Sequence, residues 1–334
     1  MLITGARQAA PSHCSGSVIL KLLYSSSGDW FLAKVAVESE RPVAPETGHG
    51  ASGRAAARLL ARGNGWSVSD LVCTYGPRDR AFEEQHSDFC VAVVLAGSFQ
   101  YCSAQGREMM TPGSLLLGSP GQSFECSHEH AIGDRCIAFR YTAEYLDDLL
   151  AELGATGIKP IFRVLRLPPL RSLSRLVAQT MASAEMAADG QWDELGIQLA
   201  VETAALAGPL VPALSSTPPS SEARVTRAVR QIERHPDEQL DLLGLAHQAG
   251  LSRYHFLRVF KDVTGLTPHQ YVLRARLRTA ATRLIVDRAR VLDIALDCGF
   301  GDASNFNRAF YAEFGVTPRI YRRQRARPIP PLPF

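Results

Sequence analysis

Two sets of side chains in this 334-residue sequence have types and spacings that could do chemistry. The first is polar and cationic: Arg253, Tyr254, Leu257, Arg258 and Lys261 share one face at helical spacing, and Ala303, Ser304, Asn307, Arg308 and Tyr311 do so again further on. Arginine and asparagine can form paired hydrogen bonds with guanine and adenine edges, and an exposed Leu257 suits the thymine methyl. The pattern therefore fits the reading of a DNA major groove. The second set is soft: Cys126, His128 and His130 alternate onto one strand face, and Cys136 lies on the next strand. Thiolate with imidazole suits zinc. The competing structural account makes Cys126 and Cys136 small buried apolar residues and leaves both histidines in an exposed turn, and it is the one adopted, so neither metal nor cofactor is expected. Serine-triad and phosphate-loop spacings do not occur, which leaves catalysis without a visible carrier.

The elements that must position the first set form a repeat. LGLAHQAGLSRYHFLRVFKDVTGLTPHQY from Leu243 is echoed by LDIALDCGFGDASNFNRAFYAEFGVTPRIY from Leu292. Leu243/Leu292, Ala246/Ala295 and Gly250/Gly299 lie 49 residues apart, whereas Phe256/Phe306, Arg258/Arg308, Phe260/Phe310, Gly265/Gly315 and Pro268/Pro318 lie 50 apart, so one residue is inserted in the second turn. Each copy reads as helix, tight turn, helix. Leu242–Ala249 or Leu292–Cys298 comes first, Gly250 or Gly299 ends it, and Ser252 or Asp302 caps the next helix. Phe256, Val259, Phe260 and Val263, and likewise Phe306, Ala309, Phe310 and Phe314, fall on the faces opposite the polar ones and should be core. Between the copies, Thr267 and Pro268 open a helix whose apolar period runs to Asp287. Its length of roughly 28 Å approaches the ~34 Å turn of DNA, enough to set two recognition helices in successive grooves.

Charge and composition agree. The net charge of +3 divides into 19 basic against 11 acidic residues from Glu222 to Phe334, and 17 against 22 before it. A basic domain is the electrostatic footprint of a nucleic-acid binder. Apolar runs are far too short to span a bilayer, and no secretion signal is read at the N-terminus. Seven cysteines without a CxxC pair indicate reduced thiols, hence a cytoplasmic chain. Residues 1–50 read as a weakly ordered extension. Residues 51–154 read as a β-region with strands at Trp66–Tyr75, Phe89–Leu95, Phe99–Ser103, Ser114–Leu117, Ser123–Cys126 and Arg135–Tyr141, a helix over Arg54–Arg62 before it and a helix around Tyr145–Leu153 closing it. Residues 155–208 carry a helical hairpin, Pro169–Ala188 and Trp192–Ala207. The Pro- and Ser-rich Pro209–Ser221 reads as a flexible linker between independently folded modules, 222–327 is the helical domain, and 328–334 a tail.

The closing GFGDASNFNRAFYAEFGVTPRIYRRQ resembles the signature of the AraC/XylS family of bacterial regulators, and the resemblance covers about Val225 to Arg327. It implies DNA contacts from Arg253, Tyr254, Leu257 and Arg258 in the first unit and from Ser304, Asn305, Asn307 and Arg308 in the second. Gly301 departs from the small polar residue usual before Asp302. The resemblance implies an α+β multidomain architecture: an N-terminal cupin-like β-barrel with following helices, and a C-terminal all-α tandem helix-turn-helix domain. Promoter DNA, RNA polymerase, a small-molecule effector and a second copy of the chain are the implied partners, with the helical pair as the dimerisation candidate. The alternative, a metal-dependent cupin enzyme fused to a DNA-binding domain, is poorly served: His86 stands alone in QHSDFC where two histidines and a glutamate are wanted.

Overall fold

Asn64-Gly65 makes the first reversal among the described residues. Strands β1 (Ala55–Gly63) and β2 (Trp66–Cys73) pair antiparallel with Gly63 opposite Trp66, leaving two residues in the loop, and Gly65 takes φ 80°. This is the hairpin signature that Asn-Gly favours. The helix expected over Arg54–Arg62 is therefore a strand: its alanines and leucines are good helix formers, but intrinsic propensity is worth only tenths of a kcal/mol per residue and pairing along the whole of β2 overrides it. The computed structural model describes residues 53–79, 81–128, 133–152, 162–186, 192–207, 218–238 and 242–323. The expected N-terminal extension, most of the linker, the C-terminal tail and His130 lie outside these.

The β-region continues with β3 (Phe82–Gln85), β4 (Phe89–Gly97), β5 (Phe99–Ser103), β6 (Gly106–Met110), β7 (Leu115–Gly118), β8 (Ser123–Ser127), β9 (Asp134–Tyr141) and β10 (Arg166–Leu167). One sheet has the order β1-β2-β9-β4-β7-β10 and the other β3-β8-β5-β6. The two ladders do not close on each other, so the expected barrel is an open two-sheet sandwich. Cys90, Ala92, Val94, Cys136 and Ala138 from the larger sheet meet Phe99, Tyr101 and Met110 from the smaller. The other face of the larger sheet, with Val68, Val91, Val93, Ile137 and Phe139, is covered by α1 (Ala143–Glu152), α2 (Ser174–Met186) and α3 (Trp192–Leu206) through Leu146, Leu150, Leu176, Trp192 and Leu199. Burial on both faces explains why β4 is a continuous apolar run and not an alternating one. The strands that the sequence did not announce, β3, β6 and β10, are short (FEEQ, GREMM, RL), and without a run of alternation their pairing is decided by neighbours.

The C-terminal half is helical: α4 (Pro219–Arg234), α5 (Leu242–Gln248), α6 (Arg253–Thr264), α7 (Pro268–Val286), α8 (Val291–Asp297), α9 (Ala303–Phe314) and α10 (Pro318–Arg323). Helix α4 begins inside the expected linker, with Pro219 in its first turn, where a missing N–H costs nothing. The two halves are not tethered independent modules, because their cores interpenetrate. Met109 of β6 packs with Val225, Val229, Phe256 and Phe260. Ala178 of α2 packs with Leu277, Ile294, Phe306 and Phe310. Polar contacts reinforce both seams. Gln100 Nε2 donates to Glu222 Oε2 at 2.8 Å, and Arg107 pairs with the same carboxylate at 3.1 Å. Arg166 joins Glu108 at 2.9 Å and donates to the Thr264 carbonyl at 3.1 Å. Arg274 pairs with Glu313 at 3.2 Å and donates to the Pro169 carbonyl, and Ser174 donates to the same Glu313 carboxylate.

Candidate nucleic-acid interface

Each recognition helix is fixed at both ends by local chemistry. In the first unit Gly250 (φ 62°) closes the turn, the Ser252 hydroxyl accepts from the His255 N–H at 3.3 Å, and Gly265 (φ 79°) ends α6. In the second, Gly299 (φ 82°) sits where an added Cβ would meet the Asp237 carbonyl oxygen at 2.6 Å, so both conformation and space require glycine. Asp302 Oδ1 accepts from the Asn305 N–H at 2.7 Å, and Gly315 (φ 72°) ends α9. The cap survives the Gly301 departure, because Asp302 supplies it from its own side chain.

Aromatic stacks fix the inner faces. The rings of Phe256 and Phe260 lie 5.5 Å apart with Tyr271 edge-on to Phe260 at 5.7 Å, and Phe300, Phe306, Phe310, Phe314 and Tyr321 form the equivalent stack at 4.4–5.4 Å. With those faces committed to the core, the remaining residues must point out. Of the eight positions the resemblance implies, Arg253, Tyr254, Arg258, Ser304, Asn305, Asn307 and Arg308 are exposed, Tyr254 at 81%, and Leu257 is half-buried. Arg308 Nη2 donates to Asn305 Oδ1 at 3.4 Å, so those two side chains are oriented as a pair.

The rod between the units is α7, 19 residues long, opened by a capping box in which the Thr267 hydroxyl and the Gln270 side chain each accept from the other's backbone. Its arginines hold the domain together instead of facing a ligand. Arg276 donates to the carbonyls of Pro236, Gly299 and Glu238, tying the end of α4 to the turn after α8. Arg278 is buried. Desolvation works against its charge, but Glu233, at 2.6 and 2.7 Å, more than restores it, and the guanidinium pKa is raised. Glu233 also accepts from the Tyr271 hydroxyl at 2.9 Å. The basic excess of this half is therefore partly internal. Charge counting in a sequence does not separate such arginines from surface ones.

The soft residues lie elsewhere, at one end of the sandwich. Cys126 is on β8 and Cys136 is buried on β9. His128 is only 6% exposed, against the expected exposed turn, and its Nε2 lies 2.5 Å from Asp134 Oδ2. His86 stands apart from these, with its Nε2 2.8 Å from the Tyr101 hydroxyl and its ring stacked on Phe124 at 4.2 Å.

Two family models match: the helix-turn-helix domain over residues 245–324, and the AraC-like ligand binding domain over residues 71–200. The transcriptional regulator Rob of Salmonella typhimurium is 41% identical over 92 residues, covering 28% of this chain and 32% of Rob. The transposon Tn10 TetD protein of Escherichia coli is 39% identical over 94 residues, covering 28% of this chain and 68% of TetD. The transcriptional activator RhaS of Shigella boydii is 36% identical over 106 residues, covering 32% of this chain and 38% of RhaS. The alignments with the first-matched relatives span only 32% of the length of those proteins. With a ligand-binding sandwich of the AraC type at its front and two capped, aromatic-cored helix-turn-helix units behind it, this chain belongs to the AraC/XylS family of transcriptional regulators.

Proposed function

We propose that this chain is a sequence-specific regulator that binds promoter DNA through α6 and α9 and adjusts that binding through its N-terminal half. One observation carries the proposal: two equivalent helices bury aromatic faces and turn Arg253, Arg258, Asn307 and Arg308 outward, joined by one capped helix. Phosphate contacts supply affinity and the paired hydrogen bonds of arginine and asparagine supply discrimination. A small effector in the N-terminal domain, a second copy of the chain held through the helical pair at the outer face of α3, where Ile197 is exposed, and RNA polymerase complete the assembly. The chain acts in the cytoplasm and carries out no catalysis. No helix among the described residues is long and apolar enough to cross a membrane, and His86, the lone histidine of the cupin pattern, is engaged with Tyr101.

Selection of sites from random DNA with the full chain, followed by fluorescence anisotropy on the selected sequence, tests this. A steep linear fall of log affinity with log salt is expected, since each phosphate contact releases condensed counterions. Salt-independent binding, or failure to enrich any sequence, would turn the reading toward an adaptor that contacts acidic protein.

A further inference from the structure

Away from the recognition helices, at the mouth of the sandwich, donor atoms from both sheets converge. Cys73, His128 and Asp134 each bring one ligand atom into a group in which all lie within 4.8 Å of one another. They come from three segments: Cys73 ends β2, Asp134 begins β9 directly opposite it, and His128 follows β8 of the other sheet. Asp134 Oδ2 is 2.5 Å from His128 Nε2, and its Oδ1 accepts from Cys136 Sγ at 3.5 Å, so a second thiol stands beside the group.

The backbone is built to bring these strand ends together. Gly97 pairs with Asp134 at φ 78°, and a Cβ there would lie 2.3 Å from the Gly133 carbonyl oxygen. Gly133 (φ 67°) would in turn drive a Cβ to 2.7 Å from the Cys73 carbonyl oxygen. Two left-handed glycines thus permit an approach no other residue allows. The imidazole is held by neighbours: Tyr75 stacks on it at a centroid distance of 6.4 Å and Phe99 tilts against it at 5.9 Å. Cys73 is half-buried and the Asp134 side chain is 10% exposed, so the group meets solvent at its rim while its histidine is enclosed.

We infer that Cys73, His128 and Asp134, with Cys136 alongside, form a binding site for a thiophilic divalent cation, zinc in the first instance. One sulfur, one imidazole nitrogen and one carboxylate oxygen are the donors such an ion takes in tetrahedral sites, and a thiolate with a carboxylate balances its charge. On binding, the cation takes the place of the proton between His128 and Asp134. The Cys73 thiol proton and the imidazole proton pass to solvent, and no electron moves. The cation would then cross-link the two sheets at their open end.

The test uses the full chain, stripped with a chelator and titrated with Zn²⁺ by calorimetry and with Co²⁺ by absorption. One ion per chain and a thiolate-to-cobalt charge-transfer band are expected. Cys73→Ser and His128→Gln should each weaken binding by more than the roughly 100-fold that loss of an outer partner costs. Cys298→Ala, in the core of the second helix-turn-helix unit, should leave it unchanged. Circular dichroism checks that each variant folds, and should one fail, the other variant and the cobalt spectrum of the unaltered chain decide. Absence of stoichiometric uptake, a cobalt spectrum without the thiolate band, or affinity indifferent to both substitutions would overturn the site. None of these readouts involves DNA, so they stand apart from the regulator reading.

Discussion

At the scale of single residues, the outward side chains of α9 are the most direct lever on specificity. Arg308 is exposed and oriented by Asn305, so Arg308→Ala should cost about 1–3 kcal/mol on the selected site and relax preference at the bases it reads. Anisotropy on single-base variants of that site measures this. Weaker binding with unchanged preference would move Arg308 to the phosphate backbone. A second residue reports on the sandwich. Burial first, and then the charge of Arg140, depress the His86 imidazole from its ordinary 6.5 to about 4. The folded chain therefore holds it neutral and hydrogen-bonded to the Tyr101 hydroxyl, while the unfolded chain takes up a proton below about 6.5. His86 thus contributes stability that is fully present above that pH and is lost as the pH falls toward 4, because there the unfolded state binds more protons. Urea unfolding between pH 4 and 7 should show this slope, and His86→Gln should flatten it.

At the scale of elements, the rod between the units depends on its cap. Thr267→Ala removes the acceptor for the Gln270 N–H and should destabilise the chain by about 1 kcal/mol, read as a lowered midpoint in thermal unfolding. Much of this half was legible in the sequence. Gly250, Gly299, Ser252, Asp302, Thr267 and Pro268 act where their chemistry said they would, because caps and left-handed turns are decided by a few adjacent residues. The β-half was less legible for the same reason reversed. Arg54–Arg62 carries helix-favouring residues, and its fate was written in the Asn64-Gly65 turn and in β2. The Cys73–His128–Asp134 group could not be read at all, since its members are brought together only by the β2–β9 register and by the meeting of two sheets. The alternation that singled out Cys126, His128 and His130, with Cys136 on the next strand, included only one of the three converging donors.

At the scale of the whole molecule, the Pro- and Ser-rich stretch suggested separable modules, but the seams are packed and charged. Glu222 is 6% exposed and is engaged by both Gln100 and Arg107 across the two halves. Glu222→Ala strands those partners and should loosen the halves, seen as faster amide hydrogen exchange in α4 and β5 than in the unaltered chain. Met109→Ala should cost about 2–5 kcal/mol, and the loss should be felt in the DNA-binding half although the residue belongs to the sandwich. Met109 and Ala178 are keystones: each helix-turn-helix unit is completed by one side chain lent from the other side of the connector. A protease that severed the connector and freed the C-terminal piece would leave it with two dents open to water, so the product should bind hydrophobic dyes and self-associate instead of working as a permanently active regulator.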